Sequence, residues 1–95
     1  MADIKAIQEI VARFRDDRGW AKWHTVNNLI MAIASEAGEL CHEARWGAPD
    51  MARIREEMAD ITIFLLSLAD VSGIDLEQAI IEKIAKNGVK YPAKG

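Results

Sequence analysis

The chain is poor in the residues that staple or break a fold. Among its 95 residues are one cysteine and two prolines. A single cysteine excludes an intrachain disulfide framework, which suits a reducing compartment. Cys41 lies among apolar helical positions and reads as a small buried hydrophobe rather than a nucleophile. Apolar runs of membrane-spanning length are absent. The opening stretch MADIKAIQEI alternates charged with apolar residues, unlike a secretory leader. Basic tracts and basic helix faces are lacking too, and the net charge is −3, which disfavours a nucleic-acid polymer as partner. These absences point to a cytoplasmic protein with no membrane partner.

What the chain does have is apolar surface. Apolar residues make up 51% of a length that suits one small domain over 1–95. So short a chain has a high surface-to-volume ratio and a limited core. The surplus predicts association between copies.

The periodicity predicts four helices and no strand. The first covers about Ala2 to Arg18, with Ile4, Ile7, Ile10, Val11 and Phe14 on one face and Gly19 at its end. The second runs from about Val26 to Arg45, with Thr25 or Asn27 as N-cap, and stops at WGAP. The third starts near Asp50 and reaches about Val71, with Gly73 as its C-cap. The fourth follows Asp75 and ends at Gly88, with Pro92 blocking further helix. Short connections favour antiparallel neighbours, so the fold class is an all-α helical bundle.

Two helices carry acids where hydrocarbon is expected. At about 100° per residue, Ile54, Met58, Ile61, Leu65 and Leu68 make the apolar stripe of the third helix. Phe64 and Val71 extend it on one side. Glu57 falls between Ile61 and Phe64, inside the arc, and Asp60 lies on the same flank. Glu56 points away. On the second helix, Leu29, Ile33, Ala37, Leu40 and Ala44 make the apolar face, and Glu36, Glu39 and Glu43 run beside it. Gly38 sits on another side, where a neighbouring helix has room to approach.

An ionised carboxylate inside an apolar arc is costly unless paired or bound to a cation. Arg45, Arg53 or Arg55 can serve one or two acids, and Glu43 and Glu56 suit a solvated face. Four acids on one seam are harder to neutralise in that way. Residues i and i+3 project from neighbouring points on a helix. Two such pairs on packed helices, Glu36 with Glu39 and Glu57 with Asp60, bring four carboxylates together. An all-oxygen anionic cluster suits a hard cation, Mg²⁺ or alternatively Mn²⁺, and such a centre handles phosphate esters. A structural salt-bridge network is the competing reading. A di-iron centre is not supported. Glu39 with His42 has the Glu-x-x-His spacing, but position 21, three residues before His24, is alanine. His42 reads as a surface histidine.

The motifs EAGE (Glu36 to Glu39) and EMAD (Glu57 to Asp60) resemble the E-x-x-E…E-x-x-D signature of MazG-like nucleotide pyrophosphohydrolases, and in particular their dCTP pyrophosphatase-like branch. The segment WAKWHTVNNL, with Trp20, Trp23, His24, Asn28 and Leu29, is similar to the Trp-x-x-Phe-His and Asn-Leu pattern of that branch. Trp46 closes the second helix as a tryptophan does there. Lys83, Asn87, Tyr91 and Pro92 match its C-terminal Lys-x-x-x-Asn-x-x-x-Tyr-Pro. The departures are Trp23 in place of a usual Phe, and Val26 and Asn27 in place of a common Pro and basic residue. They bear on base preference more than on reaction type.

The resemblance implies a Mg²⁺-dependent enzyme that cleaves a nucleoside triphosphate to the monophosphate and pyrophosphate. The substrate class would be deoxynucleotides such as dCTP, or modified ones, cleansed or balanced in the pool. Glu36, Glu39, Glu57 and Asp60 would hold the metal, with Glu39 a candidate to accept the proton of the attacking water. Trp20, His24, Asn28 and Trp46 would line the nucleotide pocket. Lys83, Asn87, Lys90 and Tyr91 would approach the phosphates or close the pocket from a neighbouring helix or subunit. Homodimers, or tetramers built from them, with four-helix bundles spanning subunits, also follow from the resemblance. Two other functions stay open at this level: a non-enzymatic helical oligomer acting as a binding or scaffold module, and hydrolysis of a special nucleotide such as phosphoribosyl-ATP.

Overall fold

The computed structural model describes residues 3–94. Four α-helices and one short 3₁₀ turn make up its regular structure: α1 (Ile4–Asp17), the turn Ala21–Trp23, α2 (Val26–Glu43), α3 (Met51–Ser72) and α4 (Leu76–Lys90). Among the described residues there is no strand, and no helix is long and apolar enough to cross a membrane.

Each helix starts on a side chain that satisfies a free amide of the first turn. Asp3 accepts from the amide of Ala6 at 2.8 Å, Thr25 from Asn28 at 3.1 Å, Asp50 from Ala52 at 3.0 Å and Asp75 from Gln78 at 3.0 Å. A cap of this kind stabilises by about 1 kcal/mol. Thr25, rather than Asn27, is therefore the cap of α2. Gly73 ends α3 with a left-handed φ of +67°, a conformation that needs no Cβ.

Among the described residues the expected boundaries differ from the observed ones at the ends of α2 and α4, and α2 closes at Glu43 rather than about Arg45. Ala2, the expected start of the first helix, lies outside the described residues. Gly88 does not end α4, which runs on to Lys90. Gly88 has no positive φ, and Pro92 stops the helix two residues beyond Lys90. The turn Ala21–Trp23 is too short to leave a periodic signal.

Helix α3 is the centre of the fold and packs against both α2 and α1. The buried residues are Leu29 of α2 and Leu66, Ser67 and Ala69 of α3. Two polar ties fix α1 to α3: the Gln8 amide donates to the Leu66 carbonyl at 3.1 Å, and Arg15 pairs with Asp70 at 2.8 Å.

The covered face of α3 is not centred where the apolar stripe predicts. Met58 and Leu65, in the middle of that stripe, are exposed. Glu57, Ile61, Phe64 and Leu68 are half-buried. Helix α3 is apolar on more than one side, so the sequence pattern averages over faces that this chain covers and faces that it leaves open. Cys41 is exposed rather than buried, because nothing in the chain covers that flank of α2. No atom of the chain approaches the Cβ position of Gly38 either.

Helix α4 makes only slight contact with the other helices. Ile81 and Ile84 on it are 61% and 64% exposed. The chain is correspondingly open. Its radius of gyration is 15.8 Å, against about 12 Å for a compact domain of this length. Its accessible surface is 7596 Å², against about 5,500 Å² for a folded monomer of this mass.

Candidate metal centre

The site begins with register. Glu36 lies midway along α2, and Glu57 and Asp60 lie in the first half of α3, one turn apart. Because α2 packs on α3, the two helices bring these acids face to face. Glu36, Glu57 and Asp60 each offer an oxygen, and the three oxygens lie within 4.8 Å of one another. Among the described residues no ion pair involves any of them. Glu56 is exposed, as expected of an acid on a solvated face, whereas Glu43 is largely covered, with a side chain 12% exposed and paired with Arg53 at 3.1 Å.

The electrostatics of this cluster are unfavourable by themselves. Glu57 is half-buried, and its Oε2 is closed off from water with no hydrogen-bond partner. With both carboxylates ionised, Glu36 has no donor to give it. Protonation of Glu57 turns the contact with Glu36 into a hydrogen bond. That contact, desolvation, and the charges of Glu36, Asp60 and Glu39 push the Glu57 carboxyl up to about 7. A hard divalent cation would remove the same conflict. The donor set is all oxygen and anionic, and one donor is buried and unpartnered, so these residues fit such an ion. Glu39 is not one of the three. It lies one turn further along α2 with an exposed side chain, near enough only to add to the field at Glu57.

Asp60 also opens a second feature. A mostly apolar cavity of about 280 Å³ runs from it between α1 and α3, lined among others by Phe14, Trp20, His24, Phe64 and Ser67. The turn after α1 places Trp20. Gly19, with φ of +66°, reverses the chain, and Trp20 returns an amide hydrogen bond to the Arg15 carbonyl. Its ring then meets Phe14 edge-on at 5.7 Å, while the Arg18 guanidinium covers Phe14 at 3.4 Å from the ring centroid. Burial, and then the charge of Arg15, lower the pKa of the His24 imidazole below its ordinary value, so it is neutral at pH 7.

The acids, Trp20 and His24 are thus brought to one region. The remaining expected residues are placed elsewhere. The Asn28 amide donates to the Trp23 carbonyl at 3.0 Å and closes the 3₁₀ turn. Trp46 follows α2 and is largely exposed beside Arg45. Lys83, Asn87 and Tyr91 lie on or after α4, exposed and away from the cavity lining.

This geometry is accompanied by a clear kinship. The sequence matches the MazG-like family over residues 25–95. The chain belongs to the MazG-like family. Among its MazG-like relatives it is 32% identical to dCTP pyrophosphatase 1 of Homo sapiens over 95% of its own length, and 31% identical to the Mus musculus protein of the same name over 94%. The chain spans only 59% of the length of these curated relatives. It is also similar to the solved structure of a pyrophosphatase from Archaeoglobus fulgidus, with 34% identity and a TM-score of 0.87. That match covers 98% of this chain and 95% of the archaeal one.

Three cavity residues carried no sequence signal. Phe14 reads as ordinary core. Ser67 is one hydroxyl inside an apolar run. Arg15 is a charge one position beyond an apolar residue, and its side chain is just 12% exposed where it pairs with Asp16 beside it and with Asp70 on α3.

Proposed function

We propose that the protein is a divalent-metal-dependent nucleotide pyrophosphohydrolase that cleaves a nucleoside triphosphate to the monophosphate and pyrophosphate. The observation that carries this reading is the convergence of Glu36, Glu57 and Asp60 beside an apolar cavity that begins at Asp60. The names of the relatives support the same reaction.

In this reading Glu36, Glu57 and Asp60 would hold Mg²⁺, with Glu39 beside them but outside the trio. The ion, when bound, neutralises charge on the triphosphate and favours attack in line with the leaving group. Water adds to the α-phosphorus, the bond from that phosphorus to the bridging oxygen breaks, and pyrophosphate leaves. The proton of the water passes to a carboxylate. A cation beside Glu57 would depress its pKa again, so Glu57 serves as a ligand. Glu39, exposed and at the edge of the cluster, is the acid left to accept that proton. The base stacks in the cavity against Trp20, with His24 at its wall. Deoxynucleotides such as dCTP, or modified ones, are the proposed substrates.

The chain acts in this reading as a single unit over 1–95, in the cytoplasm, as a homodimer or homotetramer. The surplus surface and the uncovered isoleucines of α4 support association. A partner copy would also bring Lys83, Asn87, Tyr91 and Trp46 within reach of a substrate.

The test is a panel of canonical and modified nucleoside triphosphates with Mg²⁺, scored for pyrophosphate. Glu36→Gln and Asp60→Asn should abolish release in protein that still folds, and Glu56→Gln should not. Release of orthophosphate instead, or no turnover of any triphosphate, would overturn the reading in favour of a scaffold or binding module.

A further inference from the structure

The cavity beside Asp60 has a polar residue in its wall that no motif accounts for. Ser67 is 2% exposed, lines the cavity, and its hydroxyl has no hydrogen-bond partner. A serine in a helix usually avoids this by donating to the carbonyl four residues back. Thr62, five residues earlier on the same helix, does so, with its hydroxyl 2.7 Å from the Met58 carbonyl. Ser67 does not. A buried hydroxyl without a partner is destabilising, so a partner from outside the chain would gain what the fold lacks. The His24 Nδ1, in the same cavity, is likewise buried and unpaired.

The placement suits one end of a nucleotide. Seven residues separate Asp60 from Ser67, which is two turns on almost the same helix face and a rise of about 10 Å. Asp60, with the other acids beside it, marks one end of that span and the uncommitted Ser67 hydroxyl the other, and aromatic rings and the His24 imidazole share the same lining. Such a wall takes a flat heteroaromatic ring and offers hydrogen bonds to its edge.

We infer that Ser67 is a specificity-determining residue that donates a hydrogen bond to a ring carbonyl or ring nitrogen of the substrate's base. The inference rests on the pyrophosphohydrolase reading for the substrate class. His24 Nδ1 reads the neighbouring position on the same edge. A base that leaves either group unpaired is rejected, because the groups are buried and water cannot replace the lost bond.

Two measurements test this. The first compares kcat and KM of wild type and Ser67→Ala over the four canonical deoxynucleoside triphosphates. The variant should raise KM about tenfold or more for the preferred base and narrow the spread of kcat/KM across the bases. The second titrates deoxynucleoside 5′-monophosphates by calorimetry without divalent ions. Affinity for the preferred base should fall by a similar factor in the variant. The unliganded variant should melt no lower than wild type, since it loses no bond. A uniform loss over all bases, or an unchanged spread, would overturn the inference even with an active wild-type enzyme. So would a lower melting temperature with selectivity intact, which would mark Ser67 as structural. If wild type releases no pyrophosphate at all, the reaction reading fails, and the calorimetric comparison still decides the role of Ser67.

Discussion

Glu36 on α2 and Glu57 on α3 face each other across the seam between the two helices, with carboxylate oxygens within 4.8 Å and, among the described residues, no ion pair to either. Two acids so placed cannot both ionise without cost, and Asp60 adds a third charge. The cluster therefore holds either a proton or a cation, and the two compete.

The first consequence is a pH dependence of stability in metal-free buffer. Glu57 titrates from 4.5 in the unfolded chain to about 7 in the fold. Between those values the folded form holds a proton that the unfolded form has released. The contribution is fully present below about 4.5 and is lost as pH rises through about 7. The melting temperature should therefore drop between about pH 5 and pH 8, and Glu57→Gln should flatten that drop. Equal slopes in the two proteins would show that Glu57 is not the group responsible.

Mg²⁺ should reverse the loss. A cation that binds only the folded form raises the melting temperature by mass action, and it must displace the proton on Glu57 to do so. The gain at a fixed Mg²⁺ concentration should be larger at about pH 8 than at about pH 6. Glu57→Gln should reduce it at both, and Glu56→Gln at neither. A gain that ignores pH, or that survives in Glu57→Gln, would place the ion elsewhere.

Packing gives a third expectation, which separates the covered and open faces of α3. Leu66 is 3% exposed and Met58 is 57% exposed. Leu66→Ala removes buried methyl groups between α3 and its neighbours and should cost about 2–5 kcal/mol in chemical denaturation. Met58→Ala should cost well under half of that at low protein concentration. If the two cost the same, the open face of α3 is covered in solution.

These contrasts show what could be read from residues alone. The helices, two of the four N-caps and the fold class were legible because each depends on local spacing: Thr25 and Asp50 stand where a first turn needs an acceptor, while Asp75 reads only as the residue before the fourth helix. Glu57 was legible because a charge within an apolar arc breaks a strong pattern. The exact face of α3 was not legible, since Met58 and Leu65 carry the same apolar signal whether this chain or another molecule covers them. Cys41 was misplaced for the same reason. The cavity was hidden because it joins Phe14 and Arg15 of α1 to Ser67 of α3, residues more than 50 positions apart whose meeting depends on tertiary packing. Glu39, matched by motif to the other acids, stands outside the trio, because a shared helix face fixes where a side chain starts and not where its carboxylate ends.

The last expectation concerns α4. Ile81 and Ile84 are three residues apart on one side of a helix that touches little of its own chain. Burying such a stripe is the main way an amphipathic helix of 15 residues becomes stable in water, since isolated helices of this length are marginal. The surface in excess of a compact monomer, roughly 2,000 Å², is of the size that an obligate interface covers. Sedimentation equilibrium should therefore find a dimer or larger species at micromolar concentration, with a melting temperature that rises with concentration. The double variant Ile81→Asp/Ile84→Asp should sediment as a monomer, lose helical signal in the far ultraviolet and melt lower than wild type. Glu77→Gln, on the same helix with an exposed side chain, controls for a change of charge that removes no apolar contact. A wild-type protein that is monomeric, with a melting temperature independent of concentration, would mean that α4 is held by this chain alone, and the exposed isoleucines would then need another explanation.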